Sequence, residues 1–189
     1  MVNDKESSVG GLTFTDNISI AWNPVDYQPD EAHLALVNES NDSFLRAVSA
    51  IGEFSREIPE EDPGISQEIA RLDLKVNLLL DLVGQLIYKQ LNIPEKSRVT
   101  VSGNEIEWQA SDTPEPGLTV FVQAYIQHGT PKPLCFYGKV VSSQEDHDSG
   151  RARVRYVGLC GSAQSWLEKL IFRHHRREIA FKKLNSSNN

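Results

Sequence analysis

Arg151, Arg153 and Arg155 alternate with Ala152, Val154 and Tyr156, so an extended backbone places three guanidinium groups on one face. Further along, Lys169, Arg173, Arg176 and Arg177 share one side of a helical wheel, opposite Leu167, Leu170, Ile171 and His174. Guanidinium grips phosphate through paired hydrogen bonds, so these residues suit a phosphate-bearing ligand. For any single arginine, solvated surface is the better account. Charge segregation adds a direction. Residues 1–150 carry 10 basic and 24 acidic side chains, whereas residues 151–189 carry 9 basic and 2 acidic. An anionic partner would therefore meet the C-terminal end, and a long wrapped nucleic acid is not expected against so acidic a body.

Nucleophilic and metal chemistry have little to work with. The sequence holds no GxSxG, HExxH or phosphate-loop pattern. Cys135 and Cys160 have no histidine nearby in sequence, and two cysteines at that spacing make neither a disulfide framework nor a CxxC zinc site. The run Glu145-Asp146-His147-Asp148 is followed by Ser149-Gly150 and reads as a solvated turn in preference to a cation site. Gly158 to Ser162 leads a strand into a helix start, where an ordinary cap explains the same residues as a phosphate cradle. His174 lies on the apolar side of its helix and reads as a core histidine. No enzyme, metal or cofactor is expected.

The elements that must position these groups follow from periodicity. A chain of 189 residues with 39% apolar and 24% charged side chains is an ordinary globular composition. No apolar run is long enough for a membrane span, the polar start has no signal-peptide core, and the cysteine usage points to the cytoplasm. Phe14, Ile18, Ile20 and Trp22 alternate as a half-buried strand ending at Asn23-Pro24. Residues 30–58 read as helix with a polar break at 38–42.

Asp62-Pro63 then opens the strongest pattern in the chain. Ile65, Ile69, Leu72, Val76, Leu79, Val83 and Leu86 recur at steps of four and three, which is a heptad seam. At about 1.5 Å per residue, a helix ending near residue 91 would be roughly 43 Å long and should protrude or be shared. Leu78, Leu80, Leu82 and Ile87 make its flanks apolar too. A two-stranded coil leaves such flanks wet, so a tetramer is expected, with a dimer as the alternative if helix 43–58 covers them.

After Pro94 the period becomes two. Val99 and Val101, then Ile106, Trp108 and Ala110, flank a Gly103-Asn104 turn; LTVFVQAYI, LCFYGKVVSS and RARVRYVG complete five strands. Their short connections suggest a small antiparallel barrel, and Ser162 is expected to cap a final helix over 163–183.

The stretch PGLTVFVQAYI, PLCFYGKVVSS and GRARVRYVGL, followed by a helix, resembles the PilZ domains, bacterial receptors for cyclic di-GMP. The heptad helix and the region around Ile18–Trp22 look like the atypical subclass, which places helices before its barrel. The family's ligand signature pairs Arg-x-x-x-Arg before the first barrel strand with Asp/Asn-x-Ser-x-x-Gly. Here Arg98 stands without a partner four residues away, and Thr100 to Glu105 keeps only Ser102, with Glu105 in the glycine's place. Arg173-x-x-x-Arg177 has the spacing, but on the final helix.

The expected architecture is α+β: a PilZ-like barrel with a closing C-terminal helix, preceded by a long heptad helix. Residues 1–62 form an N-terminal strand and helical region, 63–93 the oligomerisation helix, 95–183 the barrel and closing helix, and 184–189 a flexible tail. The resemblance implies a non-enzymatic signalling or adaptor protein acting on motility, surface or virulence functions through a protein partner still to be identified. It also implies weak or no standard cyclic di-GMP binding. The alternative is a true receptor with an altered site drawn from Arg98, Ser102, Arg151, Arg153, Arg155, Arg173 and Arg177.

Overall fold

Period-two alternation and heptad spacing are both realised in the computed structural model, which describes residues 12–54, 63–91, 93–127 and 130–186. Its elements are β1 (Phe14–Pro24), α1 (Glu31–Phe54), α2 (Pro63–Gln90), β2 (Lys96–Val101), β3 (Glu105–Gln109), β4 (Thr119–Ala124), β5 (Leu134–Val140), α3 (Gln144–Asp148), β6 (Arg151–Val157) and α4 (Gly161–Ser186).

The strands close into one antiparallel barrel in the order β1-β2-β3-β6-β5-β4. Five strands after residue 95 do not close by themselves. The sixth is β1, expected as part of a separate N-terminal region. Its first half pairs with β2 from Phe14↔Val101 to Ser19↔Lys96, and its second half pairs with β4 from Ile20↔Ala124 to Pro24↔Val120. One bent strand thus bridges two neighbours and closes the barrel. Inward positions are fully buried: Val99, Val101, Ile106, Val120, Val122, Phe136 and Val154.

α4 packs Ala163, Leu167, Leu170 and Ile171 into this core. It begins at Gly161, and its cap is Cys160 instead of Ser162. The Ala163 N–H reaches Cys160 Sγ at 3.5 Å, and the Gln164 N–H donates to the Cys160 carbonyl at 2.9 Å. Ser162 lies in the first turn, its Oγ 3.2 Å from that sulfur. The helix runs on to Ser186, into the segment expected to fray; residues 187–189 lie outside the described residues. His174 is half-buried and stacks on Phe14 with ring centroids 4.4 Å apart.

α1 has no break at 38–42. Asn38 and Asn41 face the barrel and are matched there. Asn38 Nδ2 donates to the Gly158 carbonyl, while Asn38 Oδ1 accepts from the Cys160 N–H. Asn41, 1% exposed, donates to the Cys135 carbonyl at 2.5 Å and accepts from the Cys135 N–H at 3.0 Å. Its amide thereby mimics a neighbouring strand just where β6 has ended. Gly158 has φ +67°, and a Cβ there would meet the Leu34 side chain at 2.5 Å, so glycine lets α1 approach.

The Gly103-Asn104 turn closes without the left-handed backbone that a two-residue hairpin would require, since Gly117, Gly150 and Gly158 alone have positive φ among the described residues. The Glu145–Asp148 run is a one-turn helix instead of an open turn. Ser143 and Asp146 form a reciprocal capping box, and no group of three metal-ligating side chains occurs among the described residues.

Candidate ligand face and self-association helix

β6 displays the three predicted arginines on one outer face, as alternation requires. Their register pairs Arg155 with Glu105, Arg153 with Glu107 and Arg151 with Gln109 on β3. α3 adds Asp146. Arg153 Nη2 lies 3.4 Å and Arg151 Nη1 3.7 Å from its carboxylate, and Arg151 Nε lies 3.8 Å from Glu107. Hydrogen bonds from the Ser143 side chain and backbone, helped by the two guanidinium groups, hold the Asp146 carboxyl below the usual carboxylate range. A row of acids therefore opposes a row of bases. Sequence reasoning missed these partners. The Glu105-x-Glu107 alternation was their signal, but the β3–β6 pairing that places it beside the arginines is non-local.

Ser102 is occupied by its own turn. Its Oγ accepts from the Glu105 N–H at 3.0 Å and lies 2.8 Å from the Glu105 carbonyl and 2.7 Å from Asn104 Oδ1. The Tyr156 hydroxyl donates to the Ser102 and Glu105 carbonyls from behind. Arg98 sits exposed on the outer face of β2, opposite Asn17 of β1.

Arg173 ties two helices together. It donates to the Ser49 carbonyl at 3.2 Å and to Ser49 Oγ at 3.0 Å, pinning α4 to α1. Arg177, one turn further, is exposed. The predicted ligand residues thus fall on four elements, with a trio on one face of β6, a pair one turn apart on α4, and Arg98 and Ser102 on β2 and its hairpin.

α2 is different in kind. Ile69, Leu72, Val76, Leu79, Val83 and Leu86 remain 47–64% exposed. The side chain of Ile65 lies outside the described residues. Leu78, Leu80 and Leu82 are equally open, and Leu74 is 71% exposed, widening the apolar surface beyond the expected flanks. Among the described residues, α1 packs on α4 and β5 and does not cover them. No helix among the described residues is long and apolar enough to cross a membrane.

Residues 45–183 match the family described as atypical PilZ domain, cyclic di-GMP receptor. The chain belongs to that atypical PilZ family. Among solved structures it is similar to a pathogenic protein from Xanthomonas campestris, described as a tetrameric PilZ domain self-assembled via an unusual helical bundle. The TM-score is 0.68 at 24% identity, covering 91% of this chain and 92% of the other. No curated protein matches the chain. PilZ domains are receptor and adaptor domains, and the six-stranded barrel with its closing helix is the PilZ-like fold seen here.

Proposed function

We propose that this atypical PilZ protein is a self-associating signalling adaptor, assembled as a tetramer through α2, in which standard cyclic di-GMP binding is weak or absent. The observation that carries the first half is the row of half-exposed apolar side chains on α2. Covering half of one such side chain returns about 1 kcal/mol, so a helix with this many loses heavily when left in water. Its apolar surface reaches positions beyond the a/d seam, which suits a multi-helix bundle better than a two-stranded coil. The related tetrameric PilZ domain, built on a helical bundle, supports the same reading.

The second half rests on the ligand residues. A phosphodiester needs unengaged guanidinium groups and a small-residue turn. Here Asp146 and Glu107 already lie beside Arg151 and Arg153, and Arg173 is bonded to Ser49. Losing one charge-assisted contact costs about 1.5–3 kcal/mol, so two losses weaken binding by roughly two to four orders of magnitude. Isothermal titration with cyclic di-GMP, beside light scattering of the same sample, tests both halves. A submicromolar, salt-resistant isotherm would overturn the adaptor reading. A monomer at tens of micromolar, roughly where weak oligomers still persist, would overturn self-association.

A further inference from the structure

The barrel wall has an opening where β1 changes partner. β1 pairs with β2 only as far as Ser19, opposite Lys96, and from Ile20 onward it pairs with β4. The Tyr125 N–H donates to the Ser19 carbonyl at 3.0 Å and the Val25 N–H to the Thr119 carbonyl at 2.9 Å. Those bonds fix the parity of the ladder: Ser19, Ala21, Asn23 and Val25 turn their backbone groups toward β4. Trp22 therefore turns its N–H and C=O to the other side, where β2 has ended.

A cleft of about 330 Å³ lies along that side. Ile20 and Trp22 form one wall, the buried Trp108 contributes to the lining, and the exposed Glu95 and Asp112 bring two carboxylates with no basic side chain among the lining residues. Such a lining repels a phosphodiester. It complements a cation, which gains from carboxylates and from the face of an indole. Pro24, which has no N–H, limits the open edge to a short stretch, enough for one added strand of a few residues.

We propose that this cleft takes an extended basic segment of a partner protein, added as a strand to β1 at Trp22. In this arrangement the partner's backbone pairs with the Trp22 N–H and C=O, and a lysine or arginine side chain reaches Glu95 and Asp112. The site is independent of α2 and of the β6 arginines.

The test uses the full chain labelled with fluorotryptophan, and a capped peptide alternating Lys with Val as the probe. The chain has 3 tryptophans, so Trp166 on α4 is an internal control for Trp22 and Trp108. The expected result is a saturable fluorine shift of Trp22 and Trp108, with Trp166 unmoved. Methylating the peptide nitrogens that face β1 should abolish it, and Glu95→Gln/Asp112→Asn should weaken it about tenfold, the size of losing one charge-assisted contact. Equal binding by a Glu–Val peptide, by the N-methylated peptide, or with shifts confined to Trp166 would each overturn the proposal.

Discussion

The barrel interior and α2 are built from the same residue types and meet opposite fates. Val99, Val122 and Val154 are completely covered, whereas Val76 and Val83 on α2 are 50% exposed. The strands alternate, so a closed sheet turns one apolar row of each strand inward, and α4 covers what the sheet leaves. α2 carries apolar residues on several flanks, more than one neighbouring surface of its own chain could bury. Apolar periodicity therefore states which face must be covered; the width of that face states how many neighbours must cover it. The comparison breaks if α2 finds its cover within the protomer.

The largest expected effect is on assembly. Leu72→Asp with Leu79→Asp would place carboxylates in the proposed bundle seam, at several kcal/mol each unless protonated. Light scattering should show the complex reduced to a single chain while the thermal transition of the barrel stays cooperative. If the variant keeps the parent mass, the seam lies elsewhere. The reverse substitution sharpens the contrast. Leu167→Ala removes a fully buried side chain from α4 and should cost about 2–5 kcal/mol in urea unfolding, with the oligomer unchanged below the transition.

Local patterns were legible, and contacts between distant segments were not. Alternation gave the strands from Val99 to Val157, and the step of four and three gave α2, because both periods are properties of neighbouring residues. That β1 belongs to the barrel was hidden because α1 and α2 intervene before its partner β2. Asn38 and Asn41 look like a helix break for the same reason: their partners, Gly158, Cys160 and Cys135, are far along the chain. Arg173 fell on the polar side of the wheel, but its partner Ser49 lies on α1. The β6 arginines were placed correctly on one face, while Asp146 beside them was read as part of a solvated turn.

Asn41 gives the next prediction down in size. Asn41→Ala leaves the part-buried Cys135 N–H and C=O without the amide that matches them, a cost of about 1–3 kcal/mol. Chemical denaturation should report it. Hydrogen exchange should localise the loss to the junction of α1 with β5, leaving the mass in solution unchanged. A loss below a few tenths of a kcal/mol, smaller than a typical net hydrogen bond, would mean that water replaces the asparagine there.

The smallest effect appears in alkali. The hydrogen bond between the Tyr137 and Tyr27 hydroxyls, 3.2 Å apart, pushes the Tyr137 phenol up to about 12, with burial and the nearby Asp30 carboxylate adding to it. Folding thus favours the neutral phenol, whose unfolded value is near 10. The resulting stability is complete below about pH 10 and is lost as pH rises toward 12, because the folded state holds a proton that the unfolded chain releases. Urea midpoints measured across that interval should fall for the parent protein and fall less for Tyr137→Phe. Tyr27 follows β1 and Tyr137 lies on β5, so the lost contact loosens the entry to α1 and leaves α2 untouched. The molecular mass should therefore remain constant while the midpoint falls. A matching slope in both proteins would assign the alkaline loss to other phenols or lysines.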